Sequence, residues 1–275
     1  MFGSTVLEVA VGLTFCYATV ALIVSTVQEA LASAFQLRAR SLLSGVQSML
    51  NDPEYTLLAR AVYAHALVNP HDDGTGSGQE SSATKPAYID PKHFAIALTD
   101  VIQSIPGDYA QLGRDIDAIA DAQVKRALQS MYQRAGGDMD ALRGSIEGWF
   151  NAAMERVSAA YKRRAMLVSL LLSLLLAILF NIDSIHLFRT LWTHPALAAQ
   201  LGAASGALDQ SVIDGLFALP IGWQQFPPVL NQQLALMAAG WLLTASTALF
   251  GAPFWFDLMK RTVQVRGASP KPNTD

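Results

Sequence analysis

The chain has 275 residues, of which 52% are hydrophobic and 15% charged, with a net charge of −3. A soluble globular protein carries about 25% charged residues, so the shortage of charge, with a mean hydropathy of +0.29, points to an integral membrane protein. The same figures exclude a disordered chain, a basic nucleic-acid binder and a disulfide-built secreted domain. The one cysteine, Cys16, allows neither an intrachain disulfide nor a thiolate zinc cluster.

The charges divide the chain. Residues 37–164 hold 14 Lys/Arg and 15 Asp/Glu, whereas residues 165–256 hold only Arg189, Asp183, Asp209 and Asp214. The first 36 residues hold Glu8 and Glu29 alone. A polar middle is flanked by apolar ends.

Taken in chain order, the first span covers Val9 to Val27, within an N-terminal segment of residues 1–37. No Lys or Arg precedes it, so it reads as an uncleaved anchor and not as a signal peptide. Residues 38–164 read as a helical cytoplasmic domain. Helices are expected over Arg40–Leu50, Glu54–Val68 and from Pro91 to before Pro106, the last with Asp90 as N-cap and Pro at its first position. A Gly/Ser-rich flexible loop occupies 70–89. A further helix is expected from Asp108 to Ala135, stopping at Gly136-Gly137. Asp138 caps the next, whose stripe of Leu142, Ile146, Trp149, Ala153, Val157 and Ala160 predicts a buried face. With no proline before Ile182, this helix is expected to run on into the second span, residues 165–188. Residues 189–233, rich in Pro and Gly, form an extracytoplasmic connection. The third span is expected over residues 234–257, with a cytoplasmic tail from 258 to 275. Each span reaches the ~20 residues that a bilayer core requires.

The fold class expected is therefore an all-α membrane protein: three transmembrane helices, with the helical domain inserted between spans one and two. Basic residues set the orientation. Arg38 and Arg40 follow span one, Lys162, Arg163 and Arg164 precede span two, and Lys260, Arg261 and Arg266 follow span three. All fall on one side, which places the N-terminus outside and the C-terminus in the cytoplasm.

Three groups of residues stand out as candidates. Glu8, Asn181 and Asp183, near the outer ends of spans one and two, form a candidate polar site, since ionisable groups in membranes are functional suspects. The alternative is hydration at the interface, or, for Asp183, a cap on the following helix. Glu29 with Asp257, Lys260 and Arg261 forms a candidate clamp at the inner interface. Trp149, Phe150, Met154 and Tyr161 form a candidate packing or partner face. His71-Asp72-Asp73 lies in the flexible loop with no second ligand group, and the five histidines form no HxH or HExxH pair. Nothing matches a nucleophile elbow, a Walker loop or a CxxC pair. No catalytic, cofactor or metal site is expected.

Gly251-Ala-Pro-Phe-Trp-Phe-Asp257-Leu-Met-Lys-Arg, at the end of the third span, is similar to a signature of a poorly characterised family of bacterial inner-membrane proteins. Ala87–Leu98 and Trp149–Lys162, the latter running into a span that ends Asn181-Ile-Asp-Ser, resemble it as well. The resemblance covers most of the chain in order. It implies a bacterial inner-membrane location and no catalytic residues. The function expected is non-enzymatic: a membrane anchor, scaffold or assembly subunit in the lipid bilayer, binding a protein partner or a second copy, and neither nucleic acid nor metal. The alternative is a homo-oligomeric channel or permeabilising effector lined by Thr14, Thr19, Ser25 and Gln28.

Overall fold

The computed structural model describes residues 2–70, 85–194, 221–223 and 232–267, with backbone alone at 2–5, 8 and 262–267. Every element among them is a helix: α1 (Phe2–Ala34), α2 (Leu37–Met49), α3 (Leu58–Tyr63), α4 (Pro91–Ile102), α5 (Tyr109–Asp117), α6 (Ala122–Ala135), α7 (Met139–Leu179), α8 (Ser184–Thr193), α9 (Gln232–Ala248) and α10 (Gly251–Gly267). The flexible-loop expectation at 71–84, most of the 189–233 connection and the tail from 268 lie outside the described residues. The chain divides into two units: unit 1 is Met1–Leu31 with Arg164–Asp275, and unit 2 is Ala32–Arg163.

Unit 2 buries a core of large apolar side chains. Its core gathers Val46, Leu50, Tyr63, Phe94, Leu98, Leu112, Leu128, Leu142, Ile146 and Phe150, all nearly inaccessible. Phe94 and Phe150 stack with ring centroids 4.2 Å apart. Gly45 lets α2 approach α7, for a Cβ there would meet Val157 Cγ2 at 2.6 Å. Apolar burial of this kind contributes about 25 cal/mol per Å² removed from water.

Aspartates set the helix starts in unit 2. The Asp90 carboxylate accepts from Lys92 N, with Pro91 at the first helical position as expected. Asp108 accepts from Gln111 N and so caps α5. The single helix expected over 108–135 is in fact two. Asp121 accepts from Gln123 N at 3.0 Å and Val124 N at 2.8 Å, which ends the α5 segment and starts α6. A carboxylate at an N-cap satisfies amides that an incoming helix would otherwise leave unpaired. The helix expected over 54–68 shrinks to the six residues of α3. There the buried Asp52 carboxylate takes Thr56 N and Leu57 N at 2.9 Å and Ala59 N at 3.1 Å, holding 53–57 in turns.

Unit 1 reverses the pattern. Its buried cluster is mostly small: Val9, Cys16, Ala18, Val20, Ala21, Val24, Ala248 and Ala252, with Ile182, Leu187, Leu191 and Trp255. Many of its large residues face outward, among them Leu22, Leu167, Leu171, Leu175, Phe180, Leu242 and Phe250. In lipid, small residues let helices approach closely, and large apolar ones gain nothing by hiding. Within α1, Val9–Ala34 is long and apolar enough to cross a membrane, with a hydropathy of 1.9.

The other two apolar segments are bent. The α7–α8 pair turns by 55° and the α9–α10 pair by 91°. The third span expected over 234–257 is therefore two helices. Gly251 has φ +77°, a left-handed conformation that favours glycine. Pro253 follows, and it cannot donate to the carbonyl four residues back. Counted as broken spans the bent pairs bring the total to three, and without them one helix remains.

Candidate functional site

The break between α7 and α8 is the most polar place in unit 1. Asn181 takes φ 47° there, and Asp183, Ser184 and Thr244 are buried. Asp183 accepts from Ile185 N at 2.9 Å and so caps α8. Its carboxylate lies against α9 at Gly240, where a Cβ would overlap it. Glycine is thus the residue that lets the carboxylate in.

A chain of hydroxyls crosses from α1 to α9. Tyr17 donates to Ser184 Oγ at 3.1 Å. Ser184 and Thr244 hydroxyls lie 2.8 Å apart. Thr244 Oγ1 donates to the Ile182 carbonyl at 2.7 Å. A hydroxyl has one proton. Thr244 Oγ1 also lies 3.0 Å from the Gly240 carbonyl; with its proton directed at these carbonyls, the contact with Ser184 is satisfied by the Ser184 proton.

Asn181 is equally committed. Its Nδ2 donates to the Gly222 carbonyl at 3.0 Å, and its Oδ1 accepts from Trp241 Nε1 at 3.0 Å. Trp223 and Trp241 rings lie 5.6 Å apart beside it. Tyr17, Ser184, Gly240 and Thr244 are not among the residues that the sequence marks as a candidate site. Each looks like a packing residue in a one-dimensional string.

Of the candidate polar site, Asn181 and Asp183 flank one break. Glu8 stands nine residues before Tyr17 on α1, about 13 Å at ~1.5 Å per residue, and its side chain lies outside the described residues. Of the candidate clamp, Asp257 pairs with Arg261 at 2.9 Å within α10, both exposed. Glu29 and Lys260 are exposed on α1 and α10. In the candidate partner face, Phe150 is core, and Trp149 and Met154 pack against it. Tyr161 is half-buried. The hydroxyls considered for a pore lining are also used within α1: Thr14 donates to Ala10 O at 2.7 Å and Thr19 to Phe15 O at 3.0 Å. Gln28 Nε2 donates to Ala165 O at 3.3 Å, and its Oε1 accepts from Ser169 Oγ.

Unit 2 offers no comparable constellation among its described residues. His65 Nε2 lies 3.5 Å from the Asp100 carboxylate, while its Nδ1 accepts from Leu67 N at 3.3 Å. Burial pushes the Tyr63 phenol well above its ordinary value, and its hydroxyl has no partner among the described residues. Burial raises Asp52, but the amides of Thr56, Leu57, Ala59 and Arg60 outweigh it and hold the carboxyl below the usual carboxylate range. No group of three or more His, Cys, Asp or Glu suited to a metal occurs among the described residues. Comparison with family models, with curated proteins and with solved structures finds no match to this chain.

Proposed function

We propose that the chain is a non-enzymatic anchor or assembly subunit of a bacterial inner membrane, akin to the family that carries the Gly251–Asp257 motif. Unit 1 crosses the bilayer three times, with the N-terminus outside and the C-terminus in the cytoplasm. Unit 2 faces the cytoplasm and docks a protein partner. One observation carries this reading: unit 1 buries mostly small residues and exposes many large apolar ones, whereas the core of unit 2 is dominated by large apolar side chains. That is the contrast expected when lipid surrounds one unit and water the other.

Orientation is tested with impermeant thiol labelling of whole cells. Gly206→Cys is expected to label directly and Gly78→Cys only after permeabilisation. The reverse pattern inverts the topology and moves the partner to the other compartment. Function is tested by reconstituting the purified chain in liposomes and by purifying it in mild detergent. Absence of conductance, with a stoichiometric cytoplasmic protein retained on the chain, is the expected result. Single-channel currents replace this reading with the homo-oligomeric channel.

A further inference from the structure

Two rungs along α1 measure how deep the polar break sits. At the first, Gln28 meets the Ala165 carbonyl at 3.3 Å, directly after Lys162-Arg163-Arg164. At the second, the Tyr17 hydroxyl meets Ser184 at 3.1 Å, and the Tyr17 ring lies 5.0 Å from that of Trp255 in α10. The rungs are eleven residues apart, about 16 Å at ~1.5 Å per residue. The hydrocarbon core is about 30 Å thick. Along α7 the break lies farther out: Phe180 follows Ala165 by fifteen residues, about 22 Å at ~1.5 Å per residue, so measured from the basic cluster it stands in the outer half of the core and still within it, and an ordinary tilt of about 20° changes this little.

The break has a second property, independent of that distance. Every backbone carbonyl from Leu176 to Asp183 has a protein donor. Phe180 N serves Leu176 O, Ile182 N serves Ala177 O, and Asn181 N serves Ile178 O. Trp223 Nε1 is shared between Ile178 O at 3.1 Å and Leu179 O at 3.2 Å. Gly222 N serves Phe180 O at 2.8 Å, Asp183 N serves Asn181 O, and Leu187 N serves Asp183 O. Thr244 completes the set on Ile182 O at 2.7 Å. At a hydrated surface water would do this work. In hydrocarbon each unmet group costs several kcal/mol, so irregular backbone survives there only when protein satisfies it.

We infer that both breaks, Phe180–Asp183 and Leu249–Phe250, lie inside the hydrocarbon core of the bilayer, and that lipid acyl chains meet the described surface of unit 1 there. Phe180 and Phe250, exposed at the breaks, meet acyl chains. The Asp183 carboxyl is then held within the membrane and not at the outer surface where the sequence puts it. This rests on the membrane reading proposed above and adds the depth.

Spin-label accessibility in lipid vesicles tests it on the full chain. The sole cysteine is removed as Cys16→Ala, and single labels are placed by Val6→Cys, Leu22→Cys, Leu171→Cys, Phe180→Cys and Phe250→Cys, all exposed positions. The ratio of oxygen to nickel-chelate accessibility is expected to be higher at 180 and 250 than at 6, and close to that at 22 and 171. Should 180 and 250 match 6 while 22 and 171 remain lipid-like, the depth inference falls and the membrane reading stands. Chelate access at 22 and 171 as well overturns the membrane reading itself. Leu179→Cys and Leu249→Cys, exposed beside the same breaks, replace any variant that does not fold.

Discussion

The two units solve one problem, where to put large apolar side chains, in opposite ways. Unit 2 hides Phe94, Leu98, Leu128, Ile146 and Phe150. Unit 1 hides Ala18, Ala21, Ala248 and Ala252 and displays Leu167, Leu171, Leu175 and Phe250. Water makes burial of a large apolar group worth about 1.5–3 kcal/mol. Lipid makes it worth little, and leaves close packing and polar satisfaction to hold helices together. Identical residue types therefore carry opposite structural meanings within one chain.

The sharpest test of the contrast exchanges large side chains for alanine in each unit. Phe150→Ala is expected to destabilise unit 2 by about 3–5 kcal/mol, read as lost amide hydrogen-exchange protection across 94–153. Leu171→Ala, facing outward in unit 1, is expected to change protection of 165–179 by under ~0.5 kcal/mol. Equal effects would break the comparison.

Next in size is Gly240→Ala. The new Cβ overlaps the Asp183 carboxylate, and overpacking costs about 1–3 kcal/mol. The thermal midpoint in detergent is expected to fall. Adding Asp183→Ala removes the clash, so the double variant loses less than the sum of the singles. Strict additivity would mean that the carboxylate and Gly240 do not meet.

Asp52 sharpens the comparison from the side of unit 2. Its carboxyl is held below the ordinary range, so the charged form favours the folded state. The contribution is complete above the ordinary carboxylate pKa and is lost as pH falls through the depressed folded value. Asp52→Ala is expected to cost about 0.5–2 kcal/mol at neutral pH. Unfolding of unit 2 in the variant is expected to show a weaker acid dependence than in the parent chain. An unchanged slope would assign the acid sensitivity elsewhere.

The smallest effect expected is a gain. Tyr63 buries a hydroxyl with no partner among the described residues. An unmet buried group of this kind costs about 1–3 kcal/mol, and Tyr63→Phe is expected to recover about 1 kcal/mol of it, seen as a higher denaturation midpoint. A loss would reveal a partner for that hydroxyl.

Local signals in the sequence were legible wherever a short-range rule applied. Asp90-Pro91 marked the start of α4, Gly136 the end of α6, and Asp138 the start of α7. Asp121 carried the same capping chemistry, but apolar periodicity on both sides masked it, so α5 and α6 read as one helix. Asp52 was illegible for a different reason. Its effect needs the carboxylate to be buried under the chain that follows, which spacing does not reveal. In unit 1, hydropathy averages over 18 or more residues and passes straight across Phe180–Asp183 and Leu249–Phe250.

The sequence alone determined the two materials. Charge segregation and apolar length follow directly from solvent transfer energies, which act residue by residue. The tertiary structure decided where the polar residues go. Asp183 became a cap pressed against Gly240, and Tyr17, Ser184 and Thr244 became one hydroxyl chain across three helices. Those roles depend on residues as much as 167 positions apart. A hydrogen bond reads distance in space, and the chain must fold before that distance exists.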